Sequence, residues 1–331
     1  MKFRKLGAGG PDVSVLSFGA WPIGDPQYWG EDAQADAEAA VHAAIDAGIN
    51  LFDTAEGYGA GDSERALGRL LGSKRGQVLI ATKAGPAHCV PERLRRACEA
   101  SLDRLGTDYI DLYQIHWPFR DVPFEAAAEA LLRLKEEGKI RAIGVSNFGP
   151  LDLDAWLAAG PCVSNQLGYN LVFRAIEHEI VPACLRHNIG ILVYMPLAQG
   201  ILSCRWKSPE DIPQSRRRTR HFSCGRPGVR HGEPGCEQLL FEALGRIDAM
   251  AAELGRAPAA LALAWVMAQP GVSSVIVGAR NPAQLRRNIA ALDFDLDAAP
   301  LAQLEAISRP LKEFFGKNAD MWCSAEASRI Q

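Results

Sequence analysis

The sequence predicts a (β/α)8 barrel preceded by a β-hairpin, and three observations carry that expectation. Eight short apolar runs, at 15–19, 49–53, 78–83, 110–116, 140–146, 163–166, 189–195 and 274–278, alternate with longer amphipathic stretches. Prolines open those stretches and glycines close them. The length, 331 residues, suits one large α/β barrel with insertions. Strands that each lead into a helix must be parallel and joined by right-handed crossovers. Eight is the number that closes on a core of its own side chains. The rival architecture, a doubly wound sheet, lacks its usual signal, because no G-x-G-x-x-G follows an early strand.

The elements follow in order. Segments 3–6 and 12–15, around Gly9 and Gly10, read as a hairpin able to plug one end of the barrel. Helical periodicity covers 33–47, 63–71, 91–105, 123–137, 150–159, 179–187, 237–254 and 258–269, with another helix starting at Asn281-Pro282. Pro91, Pro123, Pro258 and Pro282 fall in first turns, where a missing N–H costs nothing. Gly48, Gly72, Gly106, Gly138 and Gly160 stand at helix ends as candidates for a left-handed cap. The chain is expected to form a single barrel domain over 1–331, interrupted by one long loop. That loop, 203–236, has no apolar period, and its eight Lys/Arg face three Asp/Glu. A loop of this length is functional or disordered, and Arg205 and Arg220 are candidates to meet phosphate there. A last helical pattern spans 301–307, and the tail 311–331 carries Phe314, Phe315 and Trp322.

Composition excludes several classes. The apolar fraction is 48%, the charged fraction 23% and the net charge −3, so neither nucleic acid nor an anionic membrane is a natural partner. Cys89, Cys98, Cys162, Cys184, Cys204, Cys224, Cys236 and Cys323 form no C-x-x-C pair and no zinc spacing with histidine, and no metal site is expected. The basic start, MKFRK, lacks the apolar run of a signal peptide, and the longest apolar stretch, 261–268, is too short for a membrane span. The expected address is the cytoplasm.

In a β/α barrel, chemistry gathers where strands end. Here the strands end in Asp53, Lys83, His116, Ser146-Asn147, Gln166, Tyr194 and Gly278-Ala279-Arg280, with Tyr58 shortly after Asp53. Adding hydride to a carbonyl requires a proton donor at its oxygen. A free tyrosine, with a pKa of about 10, is a poor acid–base group at neutral pH, but a neighbouring ammonium eases its ionisation. Lys83 suits that role if it points at Tyr58. Asp53 would then hold Lys83 charged, and His116 would orient the carbonyl oxygen.

The motifs DTAEGYG (from Asp53), SERALG (from Ser63), LDRLGTDYIDLYQIHWP (from Leu102), GKIRAIGVSNF (from Gly138), YMPLAQG (from Tyr194) and VGARNPAQL (from Val277) resemble the aldo–keto reductase superfamily. The match looks closest to the bacterial branch that also resembles potassium-channel β subunits, and it runs from about 16 to 291. The resemblance implies NADP(H) lying extended over the rim and a catalytic tetrad of Asp53, Tyr58, Lys83 and His116. It implies that Ser146, Asn147 and Gln166 bond the nicotinamide carboxamide and that Tyr194 stacks on its ring. Leu197, Gln199, Gly200, Leu202 and Arg205 would line the pyrophosphate. Gly278, Arg280, Gln284 and Asn288 would hold the 2′-phosphate end. Met195 stands where serine is common. Trp21, Tyr58, His116 and Trp117 would face a small-molecule carbonyl or polyol substrate, with Trp29 and Phe148 as further aromatic candidates. Two rival readings are an NADP(H)-binding redox-sensing subunit with slow turnover and a metal-dependent barrel isomerase.

Overall fold

The computed structural model describes residues 1–24 and 34–331. Eight parallel strands close a barrel. They are β3 (Leu16–Gly19), β4 (Leu51–Asp53), β5 (Leu79–Ala84), β6 (Ile110–Ile115), β7 (Ile140–Ser146), β8 (Ser164–Gly168), β9 (Gly190–Tyr194) and β10 (Val272–Val277). Closure joins the first barrel strand to the last, with Leu16 opposite Val275. Before the barrel, β1 (Phe3–Lys5) and β2 (Asp12–Ser14) form the antiparallel hairpin, with Phe3 opposite Ser14.

The strand period of two explains both the plug and the site. Leu51, Ala81, Leu112, Ala142, Leu192 and Ile276 form one apolar layer inside the barrel, closed from below by Leu6 and Val13 of the hairpin. Two residues further along the same strands stand Asp53, Lys83, Gln114, Gly144, Tyr194 and Gly278. Because side chains repeat their facing every second residue, one step up each strand replaces the apolar layer with the polar rim. Burying such apolar side chains contributes about 1.5–3 kcal/mol each, so the lower layer holds the frame on which the polar layer stands.

The surrounding helices are α1 (Gln34–Asp46), α2 (Asp62–Leu71), α3 (Pro91–Leu105), α4 (Phe124–Glu136), α5 (Pro150–Ala159), α6 (Ile180–Arg186), α7 (Glu237–Glu253), α8 (Pro258–Met267), α9 (Pro282–Ile289) and α10 (Ala298–Phe315). The sequence punctuation holds with adjustments. Pro123 lies one residue outside α4, as its cap. Gly106 ends α3 in the left-handed conformation, φ 61°, its N–H turned back to the Leu102 and Asp103 carbonyls. Gly160 corrects its expectation, because it is extended, at φ −176°. Glycine is needed there for space: a Cβ would lie 2.8 Å from that of Ala128 on α4.

Two further differences concern the end of the chain and the long loop. Helix α10 runs on through Pro310 to Phe315 because Leu304, Ile307, Leu311 and Phe315 share one buried face, which outweighs the missing N–H. The loop 203–236 is packed. Ile212 and Phe222 are buried, and Arg226 pairs with Glu237 and Glu210. Arg220, a candidate for phosphate, is instead a buried bracket: its Nε bonds Glu233 at 2.9 Å and its Nη1 the Asn318 carbonyl at 3.0 Å. Among the described residues, no helix is long and apolar enough to cross a membrane.

Candidate active site

Asp53, Lys83 and Tyr58 meet at the top of β4 and β5. The Lys83 ammonium, fully buried, donates to Asp53 Oδ1 and to the Thr54 carbonyl, both at 2.7 Å. It lies 5.0 Å from the centre of the Tyr58 ring. The turn that carries Tyr58 is locked from behind. Ser63 Oγ donates to the Ala20 carbonyl at 2.8 Å and pairs with Thr54 Oγ1 at 2.8 Å. Glu64 accepts from Thr82 Oγ1 at 2.5 Å and from Arg104 Nε at 2.6 Å. Gly59, at φ 56°, passes so close to Gly24 that a Cβ would lie 1.7 Å from its carbonyl oxygen. Any side chain at Gly59 would therefore displace Tyr58.

His116 follows β6 and meets the Tyr58 ring edge-on, at 5.9 Å between centres. Burial, and then the charge of Lys83, push the imidazole down to about 3, so it is neutral at neutral pH and carries one N–H to donate. Burial also drives the Tyr58 hydroxyl above its ordinary value; Lys83 opposes that shift and Asp53 adds to it. For Lys83, burial works against the charged form, but Asp53 and Tyr58 outweigh it and hold the ammonium. The three groups thus keep a protonated phenol, a charged amine and a neutral imidazole around one point.

Across the mouth, Ser146 Oγ donates to the Gln166 carbonyl at 2.9 Å. Asn147 adopts a left-handed φ of 62° and donates from Nδ2 to the His116 carbonyl at 3.1 Å, while Tyr194 donates to its Oδ1 at 2.7 Å. Left-handed backbone outside glycine recurs at Ala60, Met195, Ala198 and Gln199, all near strand ends. Such conformations persist only where the surroundings impose them.

The remaining candidates form two groups. Leu197, Gln199 and Gly200 lie on the turn after β9, and Leu202 is buried beneath it. Arg205 lies exposed against the Trp206 ring at 4.1 Å, whereas Arg216 donates to the Gln199 carbonyl at 3.1 Å. The guanidinium on this turn therefore comes from eleven residues further along, in a stretch whose lack of period gave no signal. Beyond β10, the Arg280 N–H bonds Gln284 Oε1 at 3.0 Å and Asn288 Nδ2 reaches the Gly278 carbonyl at 3.4 Å. The Arg280 side chain has no ion-pair partner among the described residues.

Aromatic rings wall the mouth. Trp21 stacks on Tyr58 at 5.5 Å. Trp322, from the tail, lies parallel to Tyr194 at 6.2 Å and edge-on to Trp117 at 6.0 Å. Sequence reading missed what fixes that tail: Arg329 bonds buried Asp320 at 2.8 and 2.9 Å and lies 3.6 Å over the Trp117 ring. Phe148 is not at the mouth. It is buried behind the barrel against Phe124 and Trp156, and Phe315 likewise packs inward on Phe173 and His221. Trp29 lies outside the described residues.

A closed barrel with this constellation on its strand ends has well-defined relatives. Residues 15–309 match the model of the aldo/keto reductase family, and the chain belongs to that family. It is 34% identical to the aldo-keto reductase YhdN of Bacillus subtilis, over 86% of this chain and 87% of that one. It is 32% identical to the NADH-specific methylglyoxal reductase of Escherichia coli, over 94% of this chain and 100% of that one. An aldo-keto reductase from Klebsiella pneumoniae, solved in complex with NADPH, superposes with a TM-score of 0.74 at 32% identity, over 93% of this chain and 96% of that one.

Proposed function

We propose that the protein transfers a hydride between NADP(H) and a small aldehyde or ketone, or the matching sugar or polyol in reverse, with Tyr58 as the proton donor. The observation that carries this reading is Lys83, buried and clamped between Asp53 and Tyr58, beside a neutral His116. NADPH, when bound, supplies the hydride. The chain's own groups do the rest. The His116 N–H orients the carbonyl oxygen, the Tyr58 hydroxyl delivers the proton, and the ammonium stabilises the phenolate charge that this leaves.

The cofactor suits the residues present. Among the described residues the Arg280 guanidinium has no ion-pair partner, and it stands just before the Asn281 cap of α9, where a helix start and a fork of N–H donors suit a phosphate. That supports NADP(H) over NAD(H), although the Escherichia coli relative is NADH-specific. Steady-state rates with a panel of reactive aldehydes, using NADPH and NADH in parallel, test the reading. Oxidation of NADPH by several aldehydes, with a preference that Arg280→Ala reduces roughly tenfold, is the expected result. Bound NADPH that no aldehyde oxidises would leave the chain a cofactor-binding module.

A further inference from the structure

Helix α3 carries four arginines, and their partners are unequal. Arg95 bonds Glu137 at 2.6 and 2.7 Å, and Arg104 bonds the buried Glu64 at 2.6 Å. Arg93 reaches the Ala87 carbonyl at 3.5 Å and no carboxylate among the described residues. Arg96 has no hydrogen-bond or ion-pair partner among the described residues.

Positions 93, 96, 97, 100 and 104 follow one another at helical spacing and share a face. That face borders a groove of about 410 Å³, whose other wall is Glu56, Ala87 and His88. The short side chains of Ala87, Ala97 and Ala100 leave the room between the long ones. The one carboxylate on the groove is tied down. Glu56 Oε1 accepts from the Gly85 N–H at 2.6 Å and pairs with His88 Nδ1 at 2.7 Å, and its side chain is only 12% exposed.

A guanidinium stays charged and only donates. Two of them, one helical turn apart and bonded to no acid, suit an acceptor with several oxygens. A carboxylate is filled by one guanidinium fork, whereas a phosphoryl group has oxygens for two. The alanines beside them suit an apolar body. We infer that this groove binds a small phosphate ester, its phosphoryl group between Arg93 and Arg96 and its organic part over Ala97 and Ala100.

The site goes beyond the function proposed above and is separate from the cofactor seat. It lies beside β4 and β5, whereas Gln166 and Tyr194 lie on β8 and β9, on the opposite side of the ring. None of Asp53, Tyr58, Lys83 and His116 lines it. It does adjoin the turn that carries Tyr58. Glu56 stands at one end of that turn, and at the other a Cβ on Gly61 would lie 2.5 Å from Arg104 Cδ. A bound ester would therefore touch the catalytic turn from outside.

Isothermal titration calorimetry at low ionic strength tests the site, with NADP+ saturating so that the cofactor's own phosphate contacts are taken. The probes are phenyl phosphate, which is neither carbonyl nor alcohol, and inorganic phosphate. The wild type is expected to bind one phenyl phosphate per chain, more tightly than inorganic phosphate. Arg93→Ala and Arg96→Ala should each weaken it at least about tenfold, the worth of one charge-assisted hydrogen bond. Arg95→Ala removes the same charge from another face of α3 and should leave binding unchanged. Both groove arginines are exposed, so their variants should melt as the wild type does. Inorganic phosphate bound as tightly as the ester would overturn the ester in favour of the free ion. Equal losses in Arg95→Ala and Arg96→Ala would reduce the groove to diffuse attraction, and a wild type that binds neither probe overturns the site outright. Failure of NADP+ to bind would refute the proposed cofactor instead, and the same titrations of the free protein would still decide the groove.

Discussion

The two ends of the barrel are built from the same strands, two residues apart, and could hardly differ more. At the closed end, leucine, alanine and isoleucine interlock with Leu6 and Val13 of the hairpin. At the open end, a buried ammonium, a carboxylate and an amide satisfy one another across the interior, ringed by left-handed residues. Polar groups at such depth contribute little net stability. Their gain is a preset geometry for charge that develops during reaction. The comparison teaches that one alternating pattern assigns stability and chemistry to successive layers, so the two should be separable by mutation.

The largest effect should come at the open end. Tyr58→Phe removes the proton donor alone, and reduction should fall about 10²–10⁴-fold with NADPH affinity and melting temperature nearly unchanged. Retained activity would remove Tyr58 from the reaction and blur the division between the ends. The matching change at the closed end is Leu112→Ala, which opens a cavity in the buried layer. It should cost about 2–5 kcal/mol in denaturant unfolding, while kcat per folded molecule stays near wild type. A fall in kcat as large as that of Tyr58→Phe would show that the layers are not independent.

Much of this division was legible in the sequence. Apolar runs ending in polar residues gave the strands, their direction and the rim. What escaped were meetings that periodicity does not encode. Alternation says that Asp53 and Gln166 both point inward, but not that barrel closure sets them opposite. Arg205 was nearer in sequence to the turn after β9, yet Arg216 reaches it, because the loop between them folds back through irregular turns. Phe148 sits one residue past the rim residue Asn147, and its parity with Ala142 and Gly144 points it inward; the left-handed turn at Asn147 breaks that alternation beyond the end of β7 and sends the ring against Trp156.

The tail sharpens the contrast within the open end itself. Trp322 touches rings on both sides of the mouth, whereas Phe315 is pinned in the outer core. Trp322→Ala should shift kcat/KM among aldehydes of different size by at least about tenfold, within the roughly 10–200-fold range of hydrophobic pocket contacts, with the melting temperature little changed. Lost stability with the ranking intact would make the tail a brace only.

The smallest effect should be seen with pH. His116 and His221, buried neutral, are held near 3 and 4 against an ordinary 6.5. Between those values the unfolded chain binds protons that the folded one refuses, so stability falls as pH drops from about 6.5 toward 3. Melting temperatures across that window should show the decline, and His221→Asn should flatten part of it. An unchanged slope would mean that His221 is not excluded from protonation in the fold.

The seam between β3 and β10 has a consequence for how the molecule comes into being. Leu16 pairs with Val275, and Arg4 reaches the carbonyls of Met267 and Val272. A segment made early therefore finds partners that are made more than 260 residues later. Until residues 272–277 emerge, β3 and β9 both present unpaired edges, which are templates for association with other chains. Contacts so distant along the chain also slow folding. Barrel closure is thus a late event in synthesis, and the growing chain passes through its most aggregation-exposed form just before the ring is complete.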